Sequence, residues 1–128
     1  MADLSGCRIL VVEDEALVSM LIADALSTAG ATVVGPAASM NVAALLLSQG
    51  NVAAAVLDLN IAGEDITPIA EGLAVIGVPF VVVTGYGFDH RYRIPPAAAV
   101  FPKPFNVDDV VQAVARAVGQ KRIIDPDR

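Results

Sequence analysis

The sequence predicts an α/β fold, a doubly wound parallel sheet with helices on both faces. Short runs of continuous apolar residues, as strands buried on both faces require, alternate five times with segments of helical apolar spacing. Glycine, proline or charged residues separate these runs, as is typical of element boundaries. A chain of 128 residues has room for one such domain.

The first half of the chain supplies three strands and two helices. The strands are predicted at residues 9–12, 32–35 and 54–58. Apolar residues recur at helical spacing from Leu17 to Leu26, and Gly30 stands where a C-terminal cap is expected. A second helix is expected from a cap at Ser39 to about Gln49.

The second half supplies two further strands and up to three helices. A third helix should start near Asp65, with Pro68 tolerated in its first turn. The fourth strand follows Pro79 and the fifth contains Val100 and Phe101. Between them, residues 88–93 leave space only for a short or irregular fourth helix.

The last predicted helix has clear boundary signals. Asn106 can cap it, and Asp108 and Asp109 lie in its positive first turn. Gly119 is predicted to end it, which leaves residues 120–128 as a polar C-terminal tail. Its inward stripe should consist of Val110, Val111, Val114 and Val118.

Composition excludes several functional classes. The net charge of −6 argues against nucleic-acid binding, which needs a basic surface to displace counterions from phosphates. No apolar run is long enough for a membrane span, and no N-terminal signal peptide is evident, so we expect a cytoplasmic protein without membrane contact. Cys7 is the only cysteine, which excludes an internal disulfide.

Polar residues follow four of the predicted strands. Glu13 and Asp14 follow the first strand, Asp58 ends the third, Thr84 follows the fourth and Lys103 follows the fifth. The carboxyl ends of parallel strands form the crevice in which α/β proteins place their chemistry. We therefore expect these side chains to lie together in one site.

Three acids in one crevice need a cation or a proton. At an effective dielectric near 20, each like-charged pair about 4 Å apart costs roughly 4 kcal/mol. The oxygen ligands of Glu13, Asp14 and Asp58 favour a hard ion, Mg²⁺ or Mn²⁺. An aspartate can also attack a phosphoryl group, while Lys103 neutralises one phosphoryl oxygen and Thr84 hydrogen-bonds another.

Over residues 7–119 the chain resembles the response-regulator receiver domain of two-component signalling, the CheY-like family. The resemblance is carried by Glu13-Asp14, Leu57-Asp58-Leu59-Asn60, Thr84 and Lys103-Pro104-Phe105. It implies a flavodoxin-like sheet of five parallel strands in the order 2-1-3-4-5, and a cis peptide bond before Pro104.

The resemblance also implies a role for each residue. Asp58 would accept a phosphoryl group from a phosphohistidine on a sensor histidine kinase or a histidine phosphotransfer protein. Asp14, Asp58 and the backbone carbonyl of Asn60 would hold Mg²⁺, and Glu13 would act through water.

One feature of the fifth strand departs from this family. Receivers usually carry an aromatic residue three positions before the lysine, where this chain has Val100, and the neighbouring Phe101 should point to the other face of the sheet. The sequence Thr84-Gly85-Tyr86 is similar to that of a receiver subgroup common among stand-alone regulators. Our hypothesis is that Tyr86 and its glycine-flanked loop replace the missing aromatic residue, in a switch formed by Thr84, Tyr86 and Phe101.

Other functions are less consistent with these residues. An aspartyl-phosphate phosphohydrolase usually has its nucleophile and a second acid two residues apart after strand one, whereas Glu13 and Asp14 are adjacent. A nucleotide binder would have a phosphate loop where this chain has acids. A receiver-like interaction module that is not phosphorylated is the remaining alternative.

We expect a stand-alone regulator, because the printed sequence ends soon after the fifth helix. Its output would pass through an unknown downstream protein or through competition for phosphate. We expect the protein to be a monomer or a weak dimer.

Overall fold

The computed structural model describes residues 2–85 and 94–124. These residues form seven strands and four helices. The strands are β1 (Arg8–Val12), β2 (Thr32–Ala37), β3 (Ala54–Asp58), β4 (Asn60–Ile61), β5 (Glu64–Asp65), β6 (Phe80–Thr84) and β7 (Ala99–Pro102). The helices are α1 (Ala16–Thr28), α2 (Met40–Ser48), α3 (Thr67–Val75) and α4 (Val107–Ile124).

Five of the strands form one parallel sheet in the order β2-β1-β3-β6-β7. Numbered among themselves, these five strands have the order 2-1-3-4-5, which confirms the predicted topology. Val12 pairs with Leu57 and Asp58 pairs with Val83, so β1, β3 and β6 end at nearly the same level. The residues at these ends therefore share one edge of the sheet.

Apolar side chains are buried on both faces of the sheet. Leu10, Leu57 and Val82 belong to the core under α2 and α3. Ile9 and Val81 belong to the core under α1 and α4. This arrangement explains why the strands are continuous apolar runs, and it confirms the predicted doubly wound α/β fold.

Two helix caps and the inward faces agree with the sequence. The Val42 N–H donates to Ser39 Oγ at 3.2 Å, and the Asp108 N–H donates to Asn106 Oδ1 at 2.9 Å. The predicted inward stripe of α4 is buried and consists of Val110, Val111, Val114 and Val118. The predicted inward residues of α3 and of the position before it are also buried; these are Ile66, Ile69, Ala70 and Leu73.

Three predicted boundaries are wrong. β2 continues to Ala37, because Gly35 has a φ of 97° and the pairing with β1 shifts register there. α3 begins at Thr67, since the Asp65 carboxylate accepts hydrogen bonds from the Thr67 N–H and hydroxyl at 2.8 and 2.6 Å. α4 continues through Gly119 to Ile124, because glycine inside a helix costs only about 1 kcal/mol.

A two-stranded hairpin of β4 and β5 was not predicted. It follows β3 and pairs Asn60 with Asp65. Its turn contains Ala62 and Gly63, with φ values of 52° and 81°, as in the type I′ turns that match the twist of paired strands. The hairpin lies beside the end of β3 and therefore borders the candidate site.

Some predictions concern residues that the structure does not describe. The short fourth helix and Tyr86 lie within residues 86–93, outside the described residues. The domain limits, residues 7–119 with a tail at 120–128, stay a prediction. No helix among the described residues has both the length and the apolar character to cross a membrane.

Candidate functional site

The residues at the strand ends meet around the Lys103 ammonium. Its Nζ lies 3.1 Å from Asp58 Oδ2, 2.9 Å from Glu13 Oε1 and 2.7 Å from Glu15 Oε1. Glu13, Asp14 and Asp58 each place a carboxylate oxygen within 4.8 Å of the other two. The structure thus brings together four residues that the sequence assigned to the site and adds Glu15.

Burial makes Glu13 an unusually weak acid. The residue is 2% exposed, and this desolvation raises its pKa from 4.5 to about 7. The Lys103 ammonium and the Glu15 N–H, which donates to Glu13 Oε2 at 3.0 Å, lower the pKa, but they do not offset burial and the nearby Asp58. Glu13 is therefore partly protonated near neutral pH when no cation is bound.

Asp14 is exposed and is positioned by the hairpin. Its Oδ2 accepts a hydrogen bond of 2.8 Å from the Ala62 N–H, in the turn between β4 and β5. The backbone of Ala62 is in the left-handed conformation, in which its N–H points toward the Asp14 carboxylate. The turn therefore orients one of the three acids from outside the main sheet.

Lys103 is positioned by its backbone. Its N–H donates to the carbonyl of Thr84 at 2.7 Å, which continues the pairing of β7 with β6. The Lys103–Pro104 peptide bond is cis, as predicted. Burial lowers the pKa of the ammonium, but the nearby carboxylates of Glu15, Glu13 and Asp58 outweigh that effect and raise the pKa above its usual value.

The remaining predicted residues have distinct positions. Thr84 is buried at the end of β6, beside Pro102 of β7. Val100 is exposed and Phe101 is half-buried against the core under α1 and α4, so the two side chains lie on opposite faces as expected. The backbone of Asn60 lies in β4, two positions beyond Asp58.

Glu15 is the contact that the sequence analysis did not assign. It is the third acid in the run after β1, and that run was its only signal in the sequence. Its reach to Lys103 spans 88 positions of the chain and depends on how α1 and β7 are arranged.

The donor set fits a hard divalent cation. All three clustered acids offer oxygen, the ligand atom that Mg²⁺ and Mn²⁺ prefer. Glu13 Oε1 is buried and accepts no hydrogen bond of good geometry from residues 2–85 and 94–124, although Lys103 lies within ion-pair distance. A buried oxygen that still needs a partner is what a cation or its bound water would satisfy.

Known proteins with this architecture identify the family. SdrG from Sphingomonas melonis Fr1 is 39% identical, with a TM-score of 0.73 over 88% of this chain and 95% of that chain. The response regulator PhyR from Brucella abortus is 25% identical, with a TM-score of 0.81 over 96% of this chain and 52% of that chain. The chain belongs to the response-regulator receiver family. This receiver therefore has a role in two-component signalling.

A curated relative supports this assignment. The transcriptional regulatory protein PdtaR from Mycobacterium tuberculosis is 31% identical over 121 residues, which cover 91% of this receiver. The receiver spans 59% of the length of PdtaR. No protein-family model matches the chain.

Proposed function

We propose that this receiver is a phosphorylation-controlled switch in which Asp58 accepts a phosphoryl group from a phosphohistidine. The observation that carries the proposal is the contact of 3.1 Å between Asp58 Oδ2 and the Lys103 ammonium. In this contact the positive charge of Lys103 lies beside Asp58, which is the acid of the cluster that ends the central strand β3. The donor would be a sensor histidine kinase or a histidine phosphotransfer protein.

The reaction is a displacement at phosphorus. An Asp58 carboxylate oxygen forms the new P–O bond as the P–N bond of the phosphohistidine breaks, and the imidazole nitrogen keeps the electron pair of that bond. Lys103 neutralises charge on a phosphoryl oxygen, and the Thr84 hydroxyl hydrogen-bonds another. The product is an acyl phosphate on Asp58.

A divalent cation fits this chemistry. Asp14, Asp58 and the backbone carbonyl of Asn60 would hold Mg²⁺ or Mn²⁺, and Glu13 would act through water. When bound, the cation supplies positive charge for the phosphoryl oxygens. Among the chain's own residues, the hairpin keeps Asp14 in place through the Ala62 N–H, and Glu13 is held in a buried position beside Lys103.

The output of the switch would pass through a downstream protein or through competition for phosphate. We retain the hypothesis that Tyr86 and its glycine-flanked loop replace the aromatic residue that is missing at Val100, in a switch with Thr84 and Phe101. The buried Cys7 is compatible with the reducing cytoplasm, where we place the protein. We place the receiver at residues 7–119.

Intact-mass analysis after incubation with acetyl phosphate and Mg²⁺ tests the proposal. We expect the parent to gain one phosphoryl group, and this gain to disappear with Asp58→Asn or with EDTA. Asp24→Asn makes the same chemical change on an exposed acid of α1 outside the cluster, and it should be phosphorylated like the parent. Hydroxylamine should remove the adduct, as expected of an acyl phosphate.

Two results would count against this function. An adduct that persists in Asp58→Asn would place the phosphoryl group on another residue. No adduct in the parent, together with no response to beryllofluoride, would favour the alternative of an interaction module that is not phosphorylated.

A further inference from the structure

Three carboxylates surround the Lys103 ammonium in this structure. An ammonium has three N–H donors. Carboxylate oxygens of Glu15, Glu13 and Asp58 lie 2.7, 2.9 and 3.1 Å from Nζ. The contacts with Glu15 and Asp58 are hydrogen bonds, so a phosphoryl oxygen on Asp58 must compete with the Glu15 carboxylate for this ammonium.

The three carboxylates differ in how readily they can leave. The side chains of Glu13 and Asp58 are 0% and 7% exposed, whereas that of Glu15 is 61% exposed. A carboxylate that leaves the ammonium must be solvated by water, which is available to Glu15 but not to Glu13. Asp58 is itself the proposed acceptor, so Glu15 is the contact that can be exchanged.

We propose that Glu15 is a positioning residue that competes with the incoming phosphoryl group for Lys103 and thereby slows phosphorylation of Asp58. This inference rests on the proposed function. As the P–O bond to Asp58 forms and the donor's leaving group departs with its electron pair, Lys103 exchanges Glu15 for a phosphoryl oxygen. The Glu15 carboxylate is then solvated by water.

The position of Glu15 makes it suitable for this role. It stands immediately before α1, and its side chain makes no capping hydrogen bond to that helix in the described part of the chain. Its backbone carbonyl accepts from the Ser19 N–H at 2.9 Å, and a side-chain substitution leaves this bond intact. Replacing Glu15 therefore changes the contact with Lys103 without removing a helix cap.

The test compares rates of phosphorylation by acetyl phosphate with Mg²⁺. An exposed ion pair is worth little, so Glu15→Gln should raise the rate about two- to fivefold. Glu15→Asp keeps the charge but is one methylene shorter, and it should also be faster than the parent. Glu64→Gln removes a charge from an exposed acid of β5 and should leave the rate unchanged.

Two further readouts separate competition from a general structural effect. The ¹⁵N chemical shift of Lys103 Nζ in the unphosphorylated protein should change in both Glu15 variants and stay unchanged in Glu64→Gln. The ratio of the Glu15→Gln rate to the parent rate should fall towards one as the salt concentration approaches 1 M, because salt screens exposed ion pairs.

The outcomes are distinct. A parent that forms no adduct overturns the proposed function, and this inference with it. A parent that is phosphorylated at Asp58 while both Glu15 variants react at the same rate or more slowly overturns only the role of Glu15. A faster Glu15→Gln with a parent-like Glu15→Asp would show an effect of net charge, which also overturns the inference.

Discussion

Glu13→Gln should stabilise the metal-free protein, and the gain should grow with pH. A carboxyl whose pKa is higher in the folded than in the unfolded state favours folding at low pH. This contribution to stability is lost as the pH rises from the unfolded-state pKa to the folded-state pKa. For Glu13 this window runs from pH 4.5 to about pH 7. The main cause of the raised pKa is burial. Above this pH window the Glu13 carboxyl is ionised in the folded state, and the loss of solvation of its charge destabilises that state.

The magnitude follows from the two pKa values. A rise from 4.5 to about 7 corresponds to about 3 kcal/mol of destabilisation at high pH. At pH 5 most of the buried carboxyl is still protonated, and the corresponding destabilisation is only about 1 kcal/mol. The difference in unfolding free energy between Glu13→Gln and the parent should therefore increase by roughly 2 to 3 kcal/mol between pH 5 and pH 8.

Urea unfolding in EDTA at a series of pH values measures this difference. Glu64→Gln, the same change on an exposed side chain, should stay within about 0.5 kcal/mol of the parent throughout. Adding Mg²⁺ at pH 8 should narrow the difference, because the metal stabilises the parent more than a variant that lacks the Glu13 carboxylate. A difference that stays constant from pH 5 to pH 8 in EDTA would refute the assignment of a raised pKa to Glu13.

Three other predictions concern the metal, the turn and the core. Mg²⁺ at ten times its Kd should raise the unfolding free energy by about 1.4 kcal/mol, and Asp14→Asn should abolish this rise in a thermal or urea titration. Gly63→Ala should destabilise the protein by about 1 kcal/mol in urea unfolding, because its φ of 81° disfavours a side chain, whereas Ala62→Asn should be tolerated. Leu57→Ala should cost 2 to 5 kcal/mol, as expected of a large-to-small change in a core. Leu17→Ala, at a side chain that is 83% exposed, should change stability by less than about 0.5 kcal/mol.

The sheet and most of the site could be predicted because they share one cause. A strand covered on both faces must be continuously apolar, so its end is marked by the first polar residue. Asp58 and Thr84 are such residues, and the parallel topology brings their strand ends to the same edge. These residues and Lys103 are far apart in the sequence, but the order of the strands in the parallel sheet brings them close together.

The hairpin and Glu15 could not be predicted in this way. β4 and β5 have two residues each, too few for an alternating pattern, and Ala62 carries no turn signal although its φ is 52°. Glu15 reaches Lys103 with an exposed side chain, and exposed acids at a helix start are ordinary. Both features depend on local geometry that leaves no periodic trace in the sequence.

Among the residues that the structure describes, the site has more acids than the Lys103 ammonium can neutralise. Lys103 contacts Glu13, Glu15 and Asp58, and Asp14 adds a further carboxylate within the cluster. Burial lets a proton on Glu13 relieve part of this excess near neutral pH, and a divalent cation would relieve the same excess more completely. A phosphoryl group would bring further negative charge to Asp58, so one proton would no longer be sufficient. The charge excess of the site is therefore a physical reason to expect that phosphorylation requires a cation, independently of family resemblance.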